Sequence, residues 1–290
     1  MVSVILPTYN RAHLLPESIE SVLSQGYTDL ELIIMDDGST DDTRDLLSGI
    51  RDDRIKYYPM PHTGYTSRLK NFAIGQSSGD LLAFIDSDDT WKAGKLEKQV
   101  RLLNENPSIG FSLTDVTTFR GDTILIDHSY HLLNTVQCLN IFHWMEQSRF
   151  IVYNPTLIFR KGCLARTGYF DESMRSGDYH FNMRLAYHFD AGIFFDPLVM
   201  RRVHDSNMSE QIPFENYTEY LETFGYLYKA GMTRRRYFQK ARANAHYKMG
   251  LLHEGNGDRE QARLHFLSSL RINPLQLKCL RRLLKSGGNG

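Results

Sequence analysis

Residues 80–91 read DLLAFIDSDDTW. A short apolar run of the kind that forms a buried strand leads straight into Asp86, Asp88 and Asp89, three carboxylates within four positions. Like charges repel, and taking a carboxylate out of water is costly unless something compensates. A bound divalent cation is one compensation; a solvated surface turn is the other. The stretch alone leaves both open.

The segments before it decide how the strand is used. VSVILP (2–7) is a second apolar, β-branched run, ended by Pro7, and HLLPESIESVLSQ (13–25) has helical spacing at Leu15, Ile19, Val22 and Leu23. LELIIMDDGS (30–39) predicts a strand running into a polar turn, and STDDTRDLLSGI (39–50) opens with capping residues and continues as a helix. IKYY (55–58) predicts a short strand and TSRLKNFAIGQS (66–77) a helix closed by Gly79. Strands alternating with helices imply an α/β fold with a mostly parallel sheet covered on both faces. Ligands of such sheets bind at the carboxyl ends of the strands. Three polar loops then share one edge: PTYNR, DDGSTDD and DSDDTW. Two separate acidic loops at one edge favour a ligand over surface decoration.

Beyond residue 91 the pattern is less regular. Helices are expected over 95–109 and 177–189, and strands over 110–119, 155–161 and 191–204. After about residue 215 the signals are helical throughout. Gly250, Ala262, Phe266 and Pro274 resemble the spacing of a tetratricopeptide helix pair, which needs neighbours (216–231 and 275–285 are the candidates) to bury its face. We therefore expect an α/β domain over 1–215, in two parts (1–90 and 91–215), and a helical region over 216–290.

Bulk properties agree with a globular protein: 290 residues, 41% hydrophobic and 23% charged. There is no apolar run long enough to cross a bilayer, and MVSVILPTYN lacks the features of a signal peptide. The three cysteines, Cys138, Cys163 and Cys279, form neither a disulfide pattern nor a zinc pattern, so a cytoplasmic location is expected. The histidines of 128–143 likewise lack metal spacing, and the N-x-S/T matches at Asn207 and Asn216 read as chance. The net charge of zero hides an asymmetry. From Thr233 to Gly290 thirteen Lys or Arg face three acids, a balance of +10, so the rest carries −10. A basic tail on an acidic body points to a polyanionic surface, for which we expect an anionic membrane rather than nucleic acid, with peripheral attachment. A solvated helix face is the alternative.

VSVILPTYNR, ELIIMDDGSTDDT, DLLAFIDSDDTW, SGDYHFNMRL and RRVHDSNMS occur in the order found in family 2 glycosyltransferases of the GT-A fold, and the resemblance covers roughly residues 2–210. It implies inverting transfer of a sugar from a nucleotide-sugar, with UDP favoured, to a hydroxyl of a glycan or lipid-linked acceptor in bacterial surface polysaccharide assembly. It also implies Mn²⁺ or Mg²⁺, which need few protein carboxylates when phosphates complete the shell. Asp86-Ser87-Asp88 corresponds to the DxD motif, with Asp88 at the metal and Asp86 toward the ribose or the metal's water shell. Asp37 corresponds to the nucleobase contact, with Asp36 a turn residue, and Pro7, Thr8 and Tyr9 correspond to the loop packed on base and ribose. Asp178 is the implied general base, His204 approaches the metal or diphosphate, and Arg201 or Arg202 could pair with phosphate.

Two departures stand out. The acid that often precedes the base is Gly177 here, and the usual Arg-Asn pair is Lys70-Asn71, with Arg68 two residues earlier, so the donor-side cation is Arg68 or Lys70. A sugar-nucleotide pyrophosphorylase would need a glycine-rich loop after the first strand, which PTYNRAHLL lacks. A dinucleotide or phosphate-loop fingerprint is absent as well. The alternative from another class is a non-catalytic scaffold that binds protein through its helical tail.

Overall fold

A strand flanked by strands and covered on both faces has no solvent side, so its sequence reads as a continuous apolar run rather than an alternation. The first two strands obey this. Every residue of β1 (Val2–Thr8) and of β2 (Leu30–Asp36) is buried. The computed structural model describes residues 1–130, 136–204, 207 and 213–286. They form two compact units, Met1–His204 and Asp205–Gly290.

In the first unit, α1 (Leu15–Leu23) connects β1 to β2, and α2 (Thr43–Gly49) leads to β3 (Ile55–Pro59). Next, α3 (Thr66–Gln76) returns the chain to β4 (Leu81–Phe84). β1 pairs in parallel with β2 on one side and β4 on the other, and β2 pairs in parallel with β3. The strand order therefore reverses beside β1, which makes the carboxyl ends of β1, β2 and β4 the natural ligand edge. Gly79 permits the tight entry into β4, because a Cβ there would lie 2.7 Å from Ser3 N and 2.8 Å from the Met1 carbonyl.

The rest of the sheet is mixed. β5 (Thr90–Trp91) is followed by α4 (Lys95–Glu105), β6 (Phe111–Arg120), β7 (Thr123–Ile126), β8 (Gln137–Leu139) and α5 (Phe142–Glu146). β9 (Ile158–Arg160), α6 (Leu164–Thr167), α7 (Asp178–His188) and β10 (Ala191–Arg202) complete the unit. The sheet order is β3-β2-β1-β4-β9-β6-β10-β5, with β7 on β6 and β8 on β10. β6 and β10 form a long parallel pair, whereas β9 runs antiparallel between β4 and β6. The strand expected over 155–161 is thus shorter, because Asn154–Thr156 form a 3₁₀ turn.

The second unit contains α8 (Pro213–Lys229), α9 (Arg235–Gly255), α10 (Arg259–Ile272) and α11 (Leu277–Ser286). Gly250 of α9 lies under the Phe266 ring of α10, where a Cβ would come within 2.6 Å of a ring carbon. Ala262, Phe266 and Cys279 form a small core with Tyr247, Leu251, Leu270 and Leu283. Asp258 caps α10 by accepting from Gln261 N at 3.1 Å. No described helix is long and apolar enough to cross a membrane, and all three cysteines are free thiols.

Candidate active site at the carboxyl edge of the sheet

Four turns meet where the parallel strands end. The first two are knitted together. Asn10, held at φ 51°, accepts from Thr40 N at 2.8 Å, and its own N–H donates to Ser39 Oγ. Asp37 N donates to the Thr8 carbonyl at 2.9 Å. Pro7 and Thr8 are buried as the last residues of β1, so of the three residues expected to pack on a base and ribose, Tyr9 is the one that presents a surface. Its ring stacks on His62 at 4.2 Å.

His62 belongs to the turn after β3, and Asp37 builds that turn. Asp37 Oδ1 accepts from Thr63 N and Oγ1 at 2.8 and 3.0 Å, and Oδ2 accepts from Gly64 N at 2.8 Å. His62 Nδ1 donates to the Asp37 carbonyl at 2.8 Å and lies 3.0 Å from Oδ2. Both carboxylate oxygens of Asp37 thus hold main chain and side chains of residues 62–64. Asp36 behaves as the expected turn residue, accepting from Ser39 N and from the Tyr57 hydroxyl. Sequence reasoning passed over PHTG (61–64), although the same edge argument applies to the end of β3.

The DSDD turn after β4 is stapled to the far end of β10. β5 pairs antiparallel with β10 through Trp91–Val199 and Thr90–Met200, which carries residues 201–204 back over the turn. Arg202 N donates to Asp89 Oδ1 at 2.8 Å, and Arg202 Nε donates to the Asp88 carbonyl at 3.1 Å. The Arg202 guanidinium also pairs with Glu17, while Arg201 lies over the Tyr153 ring. Asp89 is therefore a clamp for the turn, and its burial, with Asp86 and Asp88 beside it, holds its carboxyl well above the usual range. The clamp brings His204 Nε2 to 2.9 Å from Asp88 Oδ2, across 116 positions of sequence. Of the closing segment RRVHDSNMS, residues 205, 206, 208 and 209 lie outside the described residues, as does His131.

Asp178 stands at the first position of α7, after Gly177 at φ 66°. Its Oδ1 accepts from Lys70 Nζ at 2.5 Å. Lys70 is only 2% exposed, with Phe84 and Phe170 packed about its ammonium at 5.8 and 5.4 Å. Arg68, in contrast, is exposed on α3, lies over the Tyr65 ring at 4.4 Å and donates to the Glu172 carbonyl. The two candidate cations thus separate: Lys70 sits at the floor beside Asp178, and Arg68 reaches outward. Asp86 is half-buried, and Ser87 beside it is buried. Burial, then the charges of Asp88 and Asp178, push the Asp86 carboxyl up to about 7, against the opposing pull of Lys70 and Arg201.

Such an edge concentrates carboxylates that resist sharing a small volume, and a cation relieves that repulsion. Among the described residues no group of three or more His, Cys, Asp or Glu side chains is arranged to hold a metal ion. Asp88 and His204 offer an oxygen and a nitrogen donor side by side. Two protein donors fit an ion whose remaining ligands come from phosphate and water.

Comparison with known proteins bears on the family and the fold. The description "Glycosyl transferase family 2" matches residues 3–168. TuaG of Bacillus subtilis, named as a teichuronic acid biosynthesis glycosyltransferase, is 38% identical over 161 residues, covering 51% of this chain and 64% of TuaG. The Escherichia coli protein WfgD, a UDP-Glc:α-D-GlcNAc-diphosphoundecaprenol β-1,3-glucosyltransferase, is 41% identical over 125 residues, 43% of this chain and 49% of WfgD. The chain thus spans about half to two thirds of these relatives. Among solved structures, TarS 1–349 of S. aureus in complex with UDP superposes with a TM-score of 0.67 at 19% identity, covering 94% of this chain and 81% of that one. The mannosyltransferase PcManGT of Pyrobaculum calidifontis, with GDP-Man and Mn²⁺, gives 0.60 at 18% identity, covering 99% and 79%. These likenesses show the GT-A fold, and the profile match extends over more than half of the sequence, so the chain belongs to glycosyl transferase family 2.

Proposed function

We propose that the protein transfers a hexosyl group from a nucleotide-sugar to a hydroxyl of a glycan or lipid-linked acceptor, with inversion, in the assembly of a bacterial surface polysaccharide. The observation that carries this reading is the convergence of Asp86, Asp88, His204 and the Lys70–Asp178 pair on one sheet edge. Family membership, the teichuronic acid biosynthesis in the name of TuaG and the diphosphoundecaprenol-linked acceptor in the name of WfgD support it. We assign catalysis to residues 1–215, with the donor on the 1–90 half and the acceptor on the 91–215 half. Residues 216–290 form the helical extension.

Asp178 acts as the general base. The acceptor oxygen attacks the anomeric carbon, the bond from that carbon to the phosphate oxygen breaks, and the hydroxyl proton passes to Asp178 Oδ2. Lys70 holds Oδ1, which leaves the other oxygen for the proton. Asp88 and His204 would hold a Mn²⁺ or Mg²⁺ ion, and Asp86 would face the ribose or the water shell of that ion. Such an ion supplies Lewis acidity that offsets charge on the departing nucleoside diphosphate. Tyr9 and His62 offer a stacking face for the base, with Pro7 and Thr8 leading the chain into it, and Asp37 supports that face by holding residues 62–64. UDP is the favoured nucleotide, in keeping with the UDP and UDP-GlcNAc complexes of the TarS neighbour.

Release of UDP from a panel of UDP-sugars, with Mn²⁺ or with chelator, tests the reading. A transferase hydrolyses its own donor slowly without acceptor and faster with it. Absence of both release and nucleotide binding across UDP-, dTDP- and GDP-sugars would leave the family scaffold without the activity.

A further inference from the structure

We infer that α11 is a membrane-seating helix whose exposed leucines enter an anionic phospholipid surface while its basic residues hold the headgroups. The helix divides into three sectors. Cys279 is fully buried, and Leu283 packs with it against Ala262 and Phe266, so this side joins the helix to its own unit. A second sector carries Leu277, Leu280 and Leu284, which are 61%, 46% and 70% exposed, and Leu275 just before the helix is 85% exposed. At 100° per residue those three helical leucines fall within about 60° of arc, a continuous stripe rather than scattered contacts. The leucines are thus not the packing side of the helix.

The third sector is basic. Lys278, Arg281 and Arg282 line a shallow groove of about 360 Å³ together with Tyr247 and Leu284. Among the described residues no carboxylate lines that groove. Arg282 makes one ion pair at its rim, to Glu254 at 2.9 Å. From Thr233 onward thirteen basic residues face three acids, so the field around the groove is positive as well. A leucine stripe bordered by a cationic groove matches a bilayer surface in both chemistries, apolar below and anionic phosphate above. A nucleic acid would satisfy the charges but leave the leucines in water. A second copy would meet the charges with the −10 carried by residues 1–232, so it is the rival occupant that the vesicle test separates.

Among the described residues three basic side chains of the helix line the groove, and each contributes about fivefold to partitioning onto an anionic surface. Attachment is therefore reversible and sensitive to salt. Because none of the residues it rests on belongs to the candidate site, the inference is independent of the proposed transferase activity.

Flotation of the whole chain with phosphatidylglycerol or phosphatidylcholine vesicles tests it, at about 50 mM and about 500 mM salt. We expect binding to phosphatidylglycerol that exceeds binding to phosphatidylcholine by at least tenfold and falls at least tenfold at high salt. Leu280→Gln/Leu284→Gln and, separately, Lys278→Gln/Arg281→Gln should each lower it at least fivefold, with melting and circular dichroism unchanged because these side chains are exposed. Negligible binding to both vesicles overturns the inference. So does binding that ignores the leucine substitutions, or equal affinity for duplex DNA at the same salt. Self-association that the leucine variant abolishes, without vesicle binding, would assign the stripe to a second copy instead.

Discussion

The Lys70–Asp178 contact is the most consequential pair at the scale of single residues. For Asp178 in its proposed role as base, one oxygen must face the acceptor while the other is fixed, and Lys70 holds Oδ1 from a nearly dry pocket. Asp178→Asn keeps the shape but cannot accept the proton. We expect transfer to fall by about 10²–10⁴ with UDP affinity within twofold of wild type, read by initial rates and by calorimetry. A variant that transfers within a factor of two of wild type would move the base elsewhere. Lys70→Met removes the orienting contact and leaves the carboxylate, so a loss on the order of 10- to 100-fold is expected in kcat rather than in donor KM. Lys70→Arg should recover part of it, and an unchanged kcat in Lys70→Met would reduce the pair to a structural one. The acid cluster and Asp178 could be picked out from the sequence by strand-end position and by family resemblance. The pairing of Lys70 with Asp178 could not, because it spans 108 positions and depends on how α3 packs against the start of α7. The same is true of the work done by Asp37, whose carboxylate organises a turn that carries no periodic signal of its own.

At the scale of elements, α7 carries a titration that is independent of catalysis. Burial, with the Arg184 charge alongside, pushes His180 down to about 4 from an ordinary 6.5. Between those values the unfolded chain holds a proton that the folded chain excludes. Stability from this group is complete above about pH 6.5 and is lost as pH falls toward 4. At about 1.4 kcal/mol per pH unit the loss reaches about 3 kcal/mol. Urea unfolding at pH 7.5, 6 and 5 should show that fall, and His180→Gln should flatten it; an equal slope in the variant would assign the acid sensitivity to other groups. The elements themselves were readable in proportion to their length and burial. β1, β2, β4 and the first helices announce themselves, because a doubly covered strand is apolar throughout and its connecting helix is amphipathic. β5, β7, β8 and β9 have two to four residues each, too few for any period, so the antiparallel insertion of β9 and the stapling of β5 to β10 emerge only from the tertiary pairing.

At the scale of the whole molecule, each of the two units has its own apolar cluster, and both tryptophans, Trp91 and Trp144, belong to the first. Tryptophan fluorescence therefore follows the unit that carries the candidate site. Helical circular dichroism follows both units, since α8–α11 supply much of the helix. A ligand that binds only the folded state at 100 times its Kd stabilises that state by about 2.7 kcal/mol. In a unit of this size that corresponds to a rise in melting temperature of about 5–10 °C. We expect UDP with Mn²⁺ to move the fluorescence transition by that amount, chelator to remove most of the shift, and Asp88→Ala to abolish the metal-dependent part while leaving the unliganded transition in place. The Asp88 arm separates ion binding at the carboxyl edge from a general effect of nucleotide or salt, because that substitution changes one donor at one strand end. No shift with UDP, dTDP or GDP, with or without metal, would remove nucleotide binding from this site. A full shift retained in Asp88→Ala would leave nucleotide binding in place and remove Asp88 from the ion's donors.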